Sequence, residues 1–400
     1  MIKKSLALIL GLLMVAAIAG CNRVPEEPVE LAQGVTDTEI VVGTIVDLSG
    51  PVAAIGNPFF RGMDAHFKHI NDQGGINGRT IRLIAKDDQW NAQRANMLAT
   101  ELVEDDKVFA IVGQLGTPMV LATMEYFKEV GIPSVYQGGG SSLFTTAGPN
   151  FFPVQPNYLY EGQLFSKYVV EIAKAERIVF IYQNDDTGQE ALEGFKQGLQ
   201  HFNKSEILLQ EIAVNMTDVD FTTQIQLAKG HNPDLVIVHT LLSPAVRIMR
   251  AAKEGGLDVP ILTQYANSDQ VLMLLAGDAA EGNLVTGWVD ITRNEQYIQL
   301  VEAMGKYYPD QQVTSFVVAG WIAAEVFVEG LRLAGDNLSW EGFIAAMETM
   351  DFTDGLASRV KYGPNLRQGV REMVFMKIVR NDEGQLVFEM VTDFISINID

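Results

Sequence analysis

The sequence predicts an α/β protein built as two doubly wound lobes, each a parallel sheet covered by helices. Three observations carry this reading. Short β-branched apolar runs alternate with helical patterns from Glu39 onward, and repeated βα units imply parallel strands joined by right-handed crossovers. The rhythm halts at FFPVQPNY (151–158) and starts again at RIVFIY (177–182). The chain is also 400 residues long, more than one compact core usually serves.

Taken in order, EIVVGTIV (39–46) is an apolar β-branched run of the kind buried on both faces of a parallel sheet. It breaks at DLSGP, and a helical pattern then covers 58–73. GGINGR (74–79) reads as a turn, TIRLIAKDD (80–88) as a strand and 91–105 as a helix. VFAIVG (108–113) is the next strand, 118–130 a helix, and IPSVYQ (132–137) a further strand. After RIVFIY the expected series is helix 189–202, strand EILLQEIAV (206–214), helix 221–230 and strand DLVIVHT (234–240). Helix 245–254, stopped by Gly255 and Gly256, leads to strand VPILTQ (259–264). Helices are expected near 317–334 and 340–349. The closing strands 373–380 and 385–394 flank Asn381-Asp382-Glu383-Gly384, a good hairpin turn.

The first residues, MIKKSLALILGLLMVAAIAGCN, stand apart from this pattern. Lys3 and Lys4 precede an apolar run from Leu6 to Ala19, too short for a typical membrane span and of signal-peptide build. Ile18-Ala19-Gly20-Cys21 looks like a lipobox, so 1–20 is expected to be a lipoprotein signal peptide and Cys21 its lipidated residue. Cys21 is also the single cysteine, which excludes an intramolecular disulfide and any cysteine metal cluster. Residues 21–37, with Pro25, Pro28, Glu26, Glu27 and Glu30, read as a flexible tether. The expectation is an exported protein on the periplasmic or outer face of a bacterial membrane, touching that membrane through its lipid alone. A formal net charge of −21 argues against a nucleic-acid partner and suits a self-repelling monomer.

Nothing in the chain points to catalysis, a metal or a cofactor. GxSxG, HExxH, GxGxxG and the Walker lysine loop are all missing. His66 and His69 can share a helix face, but two histidines without a third ligand read as packing or surface residues. Asp87-Asp88 and Asp185-Asp186 lack the ligand spacing of an EF-hand loop.

A binding site has more support. Ligands of open α/β sheets sit beyond the carboxyl ends of the strands. Two consecutive βα loops there are unusual: Gln114-Leu115-Gly116-Thr117-Pro118 and Gln137-Gly138-Gly139-Gly140-Ser141-Ser142. Both offer unobstructed backbone N–H groups, and Thr117 and Ser141 add hydroxyls near a helix N-terminus. Neither loop holds Lys or Arg, so a small carboxylate or carbonyl fits better than a phosphate. The plainer alternative is a glycine-rich turn in which Ser141 or Ser142 caps a helix.

At this point the sequence resembles a family: the leucine/isoleucine/valine-binding branch of the type I periplasmic binding proteins, the solute receptors of ABC importers. The resemblance runs from Thr38 to Asn381. It rests on IVVGTIVDLSGPVAAIG, INDQGGINGRTIRLIAKDD, VFAIVGQLGTP, VGIPSVY, VFIYQNDDTG and MRAAKEGG in that order. It implies two lobes, 38–156 plus 286–358 and 157–285 plus 359–400, joined by three crossover strands and closing on a small solute without chemistry. In amino-acid-binding relatives the ligand's main-chain end sits on the loops corresponding to Leu115–Thr117 and Gly138–Ser141. The second lobe then contributes Asp186, Thr187, Leu241 and Tyr265, and Ile55, Phe59 and Phe60 could line an apolar side. Relatives often place a tyrosine at Thr187, an aromatic near Leu241 and an ammonium-binding acid near Tyr265, and this chain has none of these. Either Asp186 or Asp269 substitutes for the acid, or the ligand lacks an α-amino group. The resemblance implies a branched-chain or related amino acid first, then an amide or an aromatic or aliphatic carboxylate. The partner it implies is an inner-membrane ABC permease; a ligand-sensing receptor feeding a signalling partner is the alternative.

Overall fold

The computed structural model describes residues 30–290 and 294–399. The expected signal peptide 1–20, Cys21 and the tether through residue 29 lie outside the described residues. Five parallel strands open the fold. β1 (Glu39–Val46) is buried after its first residue and starts a series continued by α1 (Ala53–Asp72), β2 (Thr80–Asp87), α2 (Ala92–Thr100), β3 (Ala110–Leu115), α3 (Thr117–Val130) and β4 (Ser134–Gly138). A two-residue strand, β5 (Phe151–Phe152), completes the sheet, whose order is β2-β1-β3-β4-β5. α1 begins at Ala53 rather than 58. Proline is favoured at a helix start, yet Pro58 lies inside the helix, and the Asn57 amide supports the first turn by donating to Leu48 O and Ala53 O.

The next element is one that residue patterning does not reveal. α4 (Tyr158–Lys167) runs on through a π-helical turn at Tyr168–Ile172. Seven of its ten residues are buried, so it carries no polar stripe to mark its period. β6 (Ile178–Gln183), α5 (Asp186–His201), β7 (Leu208–Val214), α6 (Thr222–Gly230), β8 (Leu235–His239), α7 (Leu242–Glu254), β9 (Ile261–Thr263), α8 (Gln270–Ala276) and β10 (Leu284–Gly287) follow.

Three more helices, α9 (Asn294–Tyr307), α10 (Ser315–Ala334) and α11 (Trp340–Met347), precede the short pair β11 (Asp351–Phe352) and β12 (Val360–Lys361). The chain closes on the hairpin β13 (Val374–Arg380) and β14 (Leu386–Met390). The second sheet has the order β14-β13-β10-β9-β8-β6-β7, parallel from β10 through β7 and antiparallel at the β10–β13 and β13–β14 pairings. The mixed edge is a departure from a wholly parallel sheet: the hairpin turn makes β13 and β14 antiparallel to each other, and β13 enters the sheet antiparallel to β10. Thr286 and Gly287 pair with Phe375 and Val374 in this sheet, whereas Val360 pairs with Phe352 outside it.

Two helix pairs meet at glycines. A Cβ on Gly62 of α1 would lie 2.0 Å from Val317 O, and one on Gly320 of α10 would lie 1.9 Å from Phe59 O. The same reciprocity joins α4 to α5: Gly162 would meet Ala191 O at 2.0 Å, and Gly194 would meet Leu159 O at 1.9 Å. The missing side chains let the backbones touch, which holds each pair at short range over its sheet. Phe59 is buried in the core at the first crossing rather than lining a pocket, and Phe60 packs half-buried against it.

Candidate functional site

Parallel pairing sets Leu115 of β3 beside Gly138 of β4, so the two singled-out loops emerge side by side at the carboxyl edge of the first sheet. Gly116 turns there with φ 100°, a conformation a residue with a Cβ rarely adopts. Thr117 then opens α3 with Pro118 behind it, where a missing N–H costs nothing. Gly139 lies so close to Thr117 that a Cβ would stand 2.3 Å from Thr117 Oγ1.

Three of the loops' N–H groups are spent within the protein, two of them on the loops themselves, so the expected row of donors is in part occupied. Gly116 N–H donates to Gly138 O at 2.7 Å and Gly139 N–H to Gln137 O at 2.8 Å. Ser142 N–H and the Ser141 hydroxyl both donate to the Glu190 carboxylate of α5, at 2.7 and 2.8 Å. Ser141 also caps the 3-10 turn Ser142–Thr146, accepting from Leu143 N at 3.4 Å. Its hydroxyl therefore joins the first sheet's loop to a helix of the second sheet.

What converges in the site does so on a residue the sequence reading did not include. Tyr158, the first residue of α4, lays its ring against Gly140, where a Cβ would come within 2.4 Å of a ring carbon. Its N–H donates to Gly140 O at 2.7 Å. Burial pushes its phenol up to about 12, against the pull of the Thr187 and Thr117 side chains and the Gly140 backbone. Hydroxyls from both sheets thus gather at Tyr158. Tyr265 stacks on Tyr158 with ring centroids 6.3 Å apart, and burial holds its phenol well above the usual range. Gln155 ties this wall to the glycine loop. Its Nε2 donates to Gly139 O at 2.7 Å and to the Tyr265 hydroxyl at 3.0 Å, and its Oε1 accepts from the Tyr136 hydroxyl at 2.8 Å.

The buried carboxylates nearby are engaged. Glu161, fully buried one turn into α4, accepts from Tyr265 N–H at 2.8 Å and from the Thr286 hydroxyl, and its Oε2 lies 3.0 Å from His239 Nε2. Asp269 accepts from Val271 N–H at 2.8 Å and from Ser315 N–H at 2.6 Å. Asp185 caps α5 through Thr187 N–H at 3.0 Å, and Asp186 is exposed in the first turn. The fully buried Gln264, immediately before Tyr265, has no partner for either amide atom among the described residues.

The structure therefore brings Leu115, Gly116, Thr117, Gly138, Gly139 and Gly140 together with Thr187 and Tyr265 around Tyr158. Leu241 sits at the start of α7 with its N–H on Gln183 Oε1 at 3.2 Å, and Ile55 is half-buried against the main core. Neither they nor Asp186 are tied to the cluster by a hydrogen bond among the described residues. Tyr158, Glu161 and Gln155 were illegible in the sequence because they belong to a buried helix and its lead-in, with neither period nor motif. His66 is buried edge-on against Trp321 at 4.5 Å. Among the described residues no group of three potential ligands could hold a metal ion, and no helix is long and apolar enough to cross a membrane.

Comparison with known proteins agrees with this fold. The periplasmic binding protein family model matches residues 39–385. The Leu/Ile/Val-binding protein of Escherichia coli (strain K12) is 24% identical over 326 residues, covering 80% of this chain and 85% of its own. A fatty acid ABC transporter substrate-binding protein from Thermomonospora curvata superposes with a TM-score of 0.78 at 22% identity, over 93% of this chain and 96% of its own. An R. palustris ABC transporter solute-binding protein solved in complex with benzoate does so with a TM-score of 0.74 at 20% identity, over 90% of this chain and 98% of its own.

Proposed function

We propose, from the premise that this chain belongs to the periplasmic binding protein family, that it is the lipid-anchored solute receptor of an ABC importer. Its solute is a small organic carboxylate, held between lobes formed around the two sheets and handed to a membrane permease without being transformed. The lobes comprise approximately 38–156 with 286–358 and 157–285 with 359–400, and Cys21 carries the anchor. One observation carries the ligand class. Thr117, Thr187 and Tyr158 bring neutral hydroxyls together beside Gly140, while Glu161, Glu190 and Asp269 are all committed to protein donors. Neutral donors suit a carboxylate oxygen, and an ammonium closed in beside them without a counter-charge would be costly. The fatty acid transporter protein and the benzoate complex among its solved neighbours support a ligand of this kind. A branched-chain amino acid is the second reading, favoured by the name of the Escherichia coli relative.

Binding proceeds by capture in the open form, donation from the Thr117 and Tyr158 hydroxyls to the carboxylate, and closure that excludes water; the closed form is what the permease recognises. The test is a thermal-shift screen of the mature protein with small carboxylates and amino acids, since a tight ligand raises Tm by mass action. Thr117→Val and Gly139→Leu are expected to abolish the ligand-induced rise, and Thr117→Val, which adds no bulk, should leave the ligand-free Tm nearly unchanged. Unchanged shifts in both variants would overturn the site.

A further inference from the structure

Trp90 lies where no part of the proposed site accounts for it. It follows β2, an edge strand, and the sheet order β2-β1-β3 places β1 between it and the Gly116 loop. Yet a Cβ on Gly116 would meet Trp90 Cζ3 at 2.6 Å and Cη2 at 2.9 Å. The indole must therefore reach across the carboxyl end of β1, roughly 10 Å at two strand spacings, over the edge where ligands of such sheets bind. Of the four tryptophans it alone is exposed, at 37%.

The chain holds it there at a cost. Gln89 and Trp90 have φ of 54° and 58°, two successive left-handed residues that carry side chains. Such conformations persist only where the surroundings over-determine them, and they concentrate at ligand clamps. Here Asp88 Oδ1 accepts from Trp90 N–H at 2.8 Å, Asp87 Oδ1 from Gln89 N–H at 3.2 Å, and the Gln89 amide donates to Ser49 Oγ at 3.1 Å. Asp87 also accepts from Leu48 N–H at 2.9 Å and from the Ser49 hydroxyl. Asp47 accepts from Gly50 N–H and, at 2.9 Å, from Val52 N–H. These carboxylates fix the loop, and the loop's product is an exposed indole beside Gly116.

We infer that Trp90 is the specificity-determining wall of the site, packing against the body of the ligand and selecting a carboxylate that bears a flat ring. The inference rests on the placement of the carboxylate at Thr117. Gly116 immediately precedes Thr117, so a ligand held there has the indole as its neighbour on that side. An indole holds a ring better than an aliphatic chain of equal area, because aromatic pairs gain about a further 2- to 10-fold in binding from their geometry.

The experiment is titration calorimetry of the mature protein with benzoate, phenylacetate, 4-methylpentanoate and leucine, on the wild type and on Trp90→Ala, Trp90→Phe and Thr117→Val. Tryptophan fluorescence is recorded alongside. The expected result is that an aromatic acid binds most tightly and that Trp90→Ala weakens it at least 10-fold. Trp90→Phe should stay within about 3-fold, and 4-methylpentanoate should lose less than the aromatic acid. Binding should also shift the wild-type emission, and that shift should vanish in Trp90→Phe while calorimetry still records binding. Wild-type affinity in a folded Trp90→Ala, with Thr117→Val weakened, would overturn the role of Trp90 and leave the cradle standing. Wild-type affinity in Thr117→Val would overturn the cradle itself. Preference for leucine, or no binding by any of the three acids, would overturn the ring-bearing class.

Discussion

Asp88 and His66 are the residues whose burial makes their titration matter. Burial pushes the Asp88 carboxyl up to about 6, with the Asp47 and Asp87 charges adding to it and the Trp90 N–H opposing. A carboxyl raised in the fold binds its proton more tightly there than in the unfolded chain, so it costs stability above pH 6 and nothing below about pH 4. Asp88→Asn keeps an oxygen for Trp90 N–H and removes the charge. It should be more stable than the wild type at pH 7.5, with the advantage fading as pH falls from 6 to 4 in urea titrations. An advantage independent of pH would show that charge is not the cause. His66 acts in the opposite sense. Burial lowers it to about 3, so the unfolded chain takes up a proton below pH 6.5 that the fold refuses, and stability falls with acidification across that window. His66→Phe should flatten this acid limb, read from the same titrations.

At the scale of elements, the glycine crossings decide how the helices lie on their sheets. Gly194 faces the Leu159 carbonyl across α4 and α5, and even a methyl there would overlap backbone rather than a side chain that could swing away. Gly194→Ala adds helix propensity yet should lose about 1–3 kcal/mol through overpacking, measured as a lower urea midpoint at unchanged slope. An unchanged midpoint would mean the helices can separate freely. Exposed Gly230, with nothing near its Cβ position, is the control, and Gly230→Ala should cost little. The β-branched strands and the helices between them were readable because alternation and flanking turns mark them. α4, α8, α9 and β10 were not; α4 is apolar on nearly all sides, and α8 and β10 span only seven and four residues.

Taken whole, the molecule is joined across its two sheets by carboxylates. Glu190 of α5 holds Ser141 and Ser142 of the first sheet's loop, and Asp269, which caps α8, holds Ser315 at the start of α10. If closure is the binding step, these contacts favour the closed form before any solute arrives. Glu190→Ala should then enlarge the ligand-free radius of gyration in solution scattering and weaken solute binding, because affinity scales with the population of the competent form. Saturating ligand should restore the wild-type radius. Equal radii for the two ligand-free proteins would discount Glu190 as a latch.

The sequence by itself determined the α/β class, the succession of most strands and helices, and the pairing of the QLGTP and GGGSS loops at one sheet edge. Each of these follows from local chemistry: β-branched runs, turn residues and the consecutive order of parallel strands. Tertiary structure alone decided which donors remain available. Ser141 turns out to be bound by Glu190, Tyr158 to stand among Thr117, Thr187 and Gly140, and Trp90 to lie beside Gly116. Those partners come from elements far apart in the chain, and no periodicity or spacing encodes a contact that exists only once the loops and helices around the two sheets have come together.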